Sequence, residues 1–403
     1  MFFKNGNFRL CLSSLLIAFG ITGLAAGCAT TDEQVNRTSL VHRYTDNQNG
    51  IDGLDNVRRL LFDDIRRVLY AVSADDDALA VYRVAEDLSL TMLDMMSGNE
   101  AHGALVGASD MTFSGVNQDI QVVSFYSGAV AQFRLQDNAS LHLSSYLTDR
   151  IDIQRVFKQS KPISAQQDTL ALLGPYAIVG SHNGISYVAS NVSQALVKVT
   201  STQGKLSVKQ ILRASQVNAL AGAVSVALSP DENLVAVAGM QANQVTIFKA
   251  GALQSLVLQH TLPDEQHTEL TEPVFVTFVP ETGGLMVATQ SGVYHYQQNP
   301  AGRFILLEQL SVADPQPLPG VTRIVFSPDG HCLLALSESS DQVNVFARQS
   351  NGRWQFSELI NVAGAKSPTS AAFFSPTQVA ISFAKSDALH IYGNVCTHQR
   401  GER

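Results

Sequence analysis

The sequence predicts an all-β chain: a seven-bladed β-propeller of four-stranded antiparallel blades, its ring closed by an N-terminal strand. Three observations carry this. A unit of loop, apolar strand, tight turn and second apolar strand recurs along the chain. A third strand, usually ending in an aromatic, follows each unit. The last unit runs out before a fourth strand, while an unpaired strand stands at the other end of the chain. Recurrence at about 40–50 residues is the mark of propeller blades.

Three copies of the unit are plain. Leu220-Ala-Gly-Ala-Val-Ser-Val-Ala-Leu-Ser-Pro-Asp leads into Asn233-Leu-Val-Ala-Val-Ala; Leu318-Pro-Gly-Val-Thr-Arg-Ile-Val-Phe-Ser-Pro-Asp-Gly leads into Leu333-Leu-Ala-Leu-Ser; Leu54-Asp-Asn-Val-Arg-Arg-Leu-Leu-Phe-Asp-Asp leads into Val68-Leu-Tyr-Ala-Val-Ser. Ser-Pro-Asp-Gly is turn chemistry, because Pro fixes φ and Gly accepts a positive φ. Weaker copies place the last residue of each leading triplet at Asn56, Gly107, Gly174, Gly222, Pro273, Gly320 and Pro368. Most intervals are about 50 residues. The long one holds an insertion from Thr148 to Thr169, between blades two and three.

The third strands read Ala78-Leu-Ala-Val-Tyr, Ala129-Val-Ala-Gln-Phe, Ala195-Leu-Val-Lys-Val, Gln244-Val-Thr-Ile-Phe, Gly292-Val-Tyr-His-Tyr, Gln342-Val-Asn-Val-Phe and Ala388-Leu-His-Ile-Tyr. All but one end in an aromatic at the same place, so one strand face repeats between stacked sheets. A fourth strand follows six of them, as in Lys205-Leu-Ser-Val-Lys-Gln-Ile-Leu. Ser39-Leu-Val-His-Arg-Tyr supplies the missing seventh and removes a free edge. A sandwich or barrel would not give seven similar four-stranded units.

The N-terminus reads as an export signal. Lys4 and Arg9 precede an uncharged stretch from Leu10 to Gly27, interrupted by Gly20 and Gly23 and therefore a poor spanning helix. It ends Leu24-Ala25-Ala26-Gly27-Cys28, which resembles the bacterial lipobox, where the Cys is acylated and becomes the first mature residue. Several acyl chains, at about 0.8 kcal/mol per buried CH₂, make such an anchor stable. Ala29 after the Cys resembles the pattern of lipoproteins sorted to the outer membrane, so the expected place is its periplasmic side. The organisation is then residues 1–27 signal peptide, 28–37 lipidated tether, 38–396 propeller and 397–403 tail.

Composition narrows the partners. Of the 403 residues 45% are hydrophobic and 15% charged, with a net charge of −8. That excludes a disordered chain and, with no basic run, a nucleic-acid partner. The membrane, reached through the lipid, is the one partner the sequence names. Once Cys28 is acylated, only Cys332 and Cys396 remain in the mature chain. Both fall on the same propeller face in adjacent blades, so a disulfide tying down the tail is expected; the alternative is a buried Cys332 beside a free Cys396.

The leading Leu-x-Gly, the Ser327-Pro328-Asp329-Gly330 turn and the stretch from Ser337 through Asp341, Val343 and Val345 to Phe346 resemble the lactonase-like, or YVTN-type, propeller family over about residues 40–392. That family includes 6-phosphogluconolactonases and muconate-lactonizing enzymes. In its phosphogluconolactonase-like members a Gly-Pro-Arg-His segment precedes an inner strand, and Asn-Glu-Leu ends the next. Here Gly320-Val321-Thr322-Arg323 and Ser337-Glu338-Ser339 cover those positions, so the resemblance retains Glu338 and a displaced Arg323. The His expected in the preceding blade is missing from Glu272-Pro273-Val274-Phe275. Lactone opening needs a base and a cation for the oxyanion. Glu338 with Arg323 is the one candidate pair.

Other chemistry is weak. No phosphate loop, zinc-protease helix or nucleophile elbow is present, and no cofactor or metal is expected. His260 and His267, with Asp264 and Glu265 between them, read as a polar loop. Asp75-Asp76-Asp77 lacks the spacing of a calcium loop. The first strand of each blade lines the central channel, its third position reading Arg59, Asp110, Ala177, Ser225, Val276, Arg323 and Ala371. Buried charge there must be wet or paired, and Arg59 with Asp110, on adjacent blades, are placed to pair. Candidate ligand-binding residues are Arg59, His102, Asp110 and Glu272. The expected role is an anchored binding or scaffolding propeller. The alternative is a periplasmic lactone hydrolase.

Overall fold

The computed structural model describes residues 38–151, 153, 157–158, 167–251, 255–263, 270–313 and 316–397. The signal, the tether with Cys28, most of the insertion after Thr148, and Asp264, Glu265 and His267 lie outside the described residues. Seven four-stranded antiparallel sheets form the blades of a β-propeller. Their inner strands are Val57–Asp63, Ala108–Ser114, Pro175–Gly180, Ala223–Leu228, Pro273–Phe278, Val321–Phe326 and Pro368–Ser375. Ser39–Thr45 pairs antiparallel with Ala388–Gly393 as the fourth strand of blade seven, so the first and last described strands close the ring. A short hairpin, Ser311–Ala313 with Gln316–Pro317, interrupts the run from blade five to blade six. Among the described residues no helix is long and apolar enough to cross a membrane.

The aromatics that end the third strands explain why the blades stack. Tyr82, Phe133, Phe248, Tyr296, Phe346 and Tyr392 are all essentially fully buried, each in an apolar cluster between neighbouring blades. Each ring removes roughly 150–250 Å² from water, worth roughly 4–6 kcal/mol at about 25 cal/mol/Å². Blade three has Val199 instead and packs through a smaller cluster.

A second device staples the upper face, which carries the turns between strands two and three. In four blades the residue ending that turn is an Asp or Asn with a positive φ: Asp77, Asn243, Asp341 and Asp387. Each accepts a hydrogen bond from a backbone N–H in the leading loop of the next blade: Gly107 (2.7 Å), Glu272 (2.8 Å), Ser367 (2.7 Å) and Asn56 (3.2 Å). Asp and Asn suit both demands, since they tolerate the left-handed region and present an acceptor.

Two inner strands sit one residue away from the expected register. Every inner strand carries a bulge at its second residue, and the paired residue after it is Arg59, Asp110, Ala177, Ser225, Phe275, Arg323 or Ser370. In blades five and seven the residues equivalent to Arg59 are therefore Phe275 and Ser370, one before Val276 and Ala371, though Val276 and Ala371 do line the channel cavities. Pro273 and Pro368 are the first residues of their strands rather than the end of the leading loop. The interblade bonds agree: Ile178 N–H donates to Asp110 Oδ2 (3.1 Å), Val276 N–H to Ser225 Oγ (3.1 Å) and Leu60 N–H to Ser370 Oγ (3.0 Å).

Cys332 and Cys396 form a disulfide with Cα atoms 6.2 Å apart. It joins the second strand of blade six to the segment after the last strand of blade seven, next to the ring closure.

Candidate functional site

The bulges build the channel mouth. A bulge places two consecutive side chains where a regular strand would place one, and so re-aims a residue. In blade one it turns Arg58 as well as Arg59 toward the channel; in blade three it presents Tyr176. Arg58 reaches the upper turn of blade six, where its Nη1 and Nη2 donate to Glu338 Oε2 and Oε1 at 3.3 and 3.2 Å. Burial works against the Arg58 charge, but Glu338 and the Tyr176 hydroxyl outweigh it and raise the guanidinium above its ordinary value.

One layer deeper, Arg59 Nε lies 3.3 Å from Asp110 Oδ1. Arg323 crosses from blade six and brings Nη2 to 3.9 Å from the same oxygen, its guanidinium over the Phe275 ring at 5.3 Å from the centroid. Neither contact has hydrogen-bond geometry: Arg59 Nε and Asp110 Oδ1 are buried without a hydrogen-bond partner. Burial, with Arg59 adding repulsion and Asp110 opposing it, pulls Arg323 down to about 10. The channel thus holds three guanidiniums against two carboxylates, in a chain whose net charge is −8. These half-buried side chains therefore carry one positive charge more than they balance.

Two cavities share this layer. One of about 170 Å³ is lined by Arg59, Asp110, Tyr176, Ser225, Phe275 and Arg323, among others. The other, about 350 Å³, is lined by Arg59 and Thr277 together with Leu61, Phe62, Phe275, Val325, Phe326 and Phe373, among others, and its exposed surface is about as polar as it is apolar. No histidine lines either one.

The remaining sequence candidates fall elsewhere. His102 is exposed in the loop before blade two, stacked on Tyr146 of that blade's outer strand at 6.2 Å. Glu272 is exposed in the leading loop of blade five and lines neither cavity. Glu338 is bonded to Arg58 rather than Arg323. His260 packs against Phe304 at 5.5 Å on an outer strand. In the triple-Asp turn, Asp76 accepts the Asp55 N–H at 2.9 Å and lies with Asp46 and Asp52, their carboxylate oxygens within 4.8 Å of one another. Burial and the neighbouring Asp387, Asp76 and Asp75 push Asp55 up to about 6.

Arg58 and Tyr176 were missed by the sequence reading. Strict alternation assigns the second strand position away from the channel. The signal that could have found Arg58 was two consecutive arginines on an innermost strand, which only a bulge accommodates.

These features define a seven-bladed β-propeller with a cationic channel. No protein-family model matches the chain. No curated protein matches it in sequence. Solved structures do share its fold. The periplasmic gluconolactonase of Pseudomonas aeruginosa is 16% identical, with a TM-score of 0.58 over 76% of this chain and 85% of that one. A Bacteroides uniformis protein provisionally assigned as a 6-phosphogluconolactonase is 14% identical, with a TM-score of 0.60 over 79% and 87%. A virginiamycin B lyase from Staphylococcus aureus, solved with quinupristin, is 11% identical, with a TM-score of 0.60 over 89% and 99%.

Proposed function

We propose that this chain is a binding propeller, held by a lipid on Cys28 at the periplasmic side of the outer membrane, whose channel takes a small anion without opening a lactone. One observation carries the reading: both channel carboxylates are already engaged by arginines, and one guanidinium charge is left over. Both oxygens of Glu338 accept from Arg58 rather than facing the cavities, and no imidazole lines the two cavities to serve as the base that lactone opening needs. The surplus cation in a poorly hydrated channel favours an anion.

The test is equilibrium titration of the purified chain with D-gluconate at low ionic strength. Saturable binding, weakened at least tenfold by Arg323→Gln, is expected. No binding, or equal binding by the variant, overturns the reading. The fold shared with lactonase-type structures supports a second reading, lactone hydrolysis with Glu338 as base, which requires Glu338 to leave Arg58.

A further inference from the structure

A cleft of about 570 Å³, larger than either channel cavity and sharing no residue with them, opens on the lower face between blades two and three. Its walls are the turns between strands one and two of both blades, with the turn between strands three and four of blade three beside them. The walls are tied together: Gly115 N–H donates to Ser181 O at 2.9 Å, and Ser186 Oγ to Ser114 Oγ at 3.2 Å. Asp119, buried in the lining, is fixed by Arg134 at 2.7 and 2.8 Å and by Gln132 at 3.0 Å. What sets the cleft apart is its unspent amides. An Asn in a turn usually accepts the backbone N–H two residues on, as Asn138, Asn299, Asn351 and Asn361 do here at 3.0–3.1 Å. Asn117 and Asn183, in the two facing turns, make no such bond. With Gln203 they line the cleft without a side-chain hydrogen bond to the protein among the described residues.

We propose that this cleft is a second binding site, separate from the channel, and that it takes an uncharged saccharide whose hydroxyls pair with Asn117, Asn183 and Gln203. The donor set fixes the chemistry. Each amide offers both donors and an acceptor, and a hydroxyl is likewise both, so neighbouring hydroxyls on a ring satisfy an amide completely. Charge balance excludes the anion favoured in the channel. Arg134 is spent on Asp119, and His182 Nδ1 lies 2.7 Å from Glu232, so the lining has no surplus cation to offer. Val116, 86% exposed at the same turn, supplies apolar ground for the C–H face of a sugar ring. An open, mostly polar cleft suits a saccharide, which keeps part of its hydroxyl shell in water. At about 570 Å³ the cleft falls within the ~300–1,000 Å³ of small-molecule sites.

The experiment is saturation-transfer NMR of the purified chain with maltose, cellobiose and N,N′-diacetylchitobiose, each titrated to a Kd, and with D-gluconate as the channel's probe. Saturable transfer to at least one disaccharide is expected. Losing one net hydrogen bond weakens Kd by about fivefold. Asn117→Ala combined with Asn183→Ala should therefore weaken the disaccharide at least tenfold while leaving D-gluconate binding unchanged. Both positions are exposed turn residues, and a thermal melt shows that the variant is folded. No transfer to any of the three disaccharides overturns the inference, and so does equal disaccharide binding by the double variant. Loss of D-gluconate binding in that variant would make the two sites one and overturn the separation. A native chain that binds a disaccharide but not D-gluconate leaves this inference standing and removes the channel reading alone.

Discussion

Replacing Asp110 with Asn tests the charge balance of the channel. Asn keeps the side-chain shape and an acceptor for the Ile178 N–H, but removes the negative charge 3.3 Å from Arg59 and 3.9 Å from Arg323. Two guanidiniums then face each other in a narrow, poorly hydrated space. Removing one partner of a buried ion pair costs about 3–5 kcal/mol. The Arg59 and Arg323 side chains keep 24% and 15% exposure, which places the expected cost lower, at about 2–3 kcal/mol. With about 2.1 cal/mol/K of unfolding entropy per residue, a propeller of this length melts about 1–1.5 °C lower per kcal/mol. Asp110→Asn should therefore lower Tm by about 3 °C in scanning calorimetry. Asp110→Asn combined with Arg323→Gln removes one charge of each sign and should recover at least half of the loss, a coupling that a double-mutant cycle reads directly. A single variant melting with the native chain, or strictly additive losses in the double variant, would refute the charge-balance argument.

Burial, reinforced by Arg43, lowers His390 to about 4, whereas an unfolded histidine titrates near 6.5. The unfolded chain takes up this proton first, so the stability held above pH 6.5 should be lost as pH falls toward 4, by on the order of 3 kcal/mol; His390→Phe should flatten that slope in melts between pH 7 and 4.5, and an unchanged slope counts against it. The disulfide spans a sequence separation of 64 residues, for which the chain-entropy model gives about 4 kcal/mol. Cys396→Ser should lower Tm by several degrees, and thiol titration of unfolded, unreduced protein should find neither Cys332 nor Cys396 free. Cys28→Ser should abolish incorporation of labelled palmitate and release the chain from the membrane fraction; label on the Ser variant would end the lipid assignment.

The fold was legible because each blade repeats the same physical tasks. A ring must fill the gap between sheets, so Tyr82, Phe133, Phe248, Tyr296, Phe346 and Tyr392 recur at one position. A turn must adopt a left-handed residue and bond the next blade, so Asp77, Asn243, Asp341 and Asp387 recur at another. Register failed where proline imitated the end of a leading loop, at Pro273 and Pro368, because Pro serves both a turn and the first residue of a strand. The site was legible only in its deep layer. Arg59, Asp110 and Arg323 stood out as charges on innermost strands, where burial demands a partner. Arg58 and Tyr176 reach the channel through bulges, which leave no periodic trace, and the partnership of Arg58 with Glu338 joins residues on blades one and six.

Binding rather than catalysis is the central claim, and the rate of 6-phosphogluconolactone hydrolysis tests it most directly. With Glu338 locked to Arg58 and no imidazole lining the channel cavities, the purified chain should open the lactone no faster than the spontaneous reaction. A rate clearly above the spontaneous one, abolished by Glu338→Gln in a variant that melts like the native chain, would contradict the account and make the protein a lactonase.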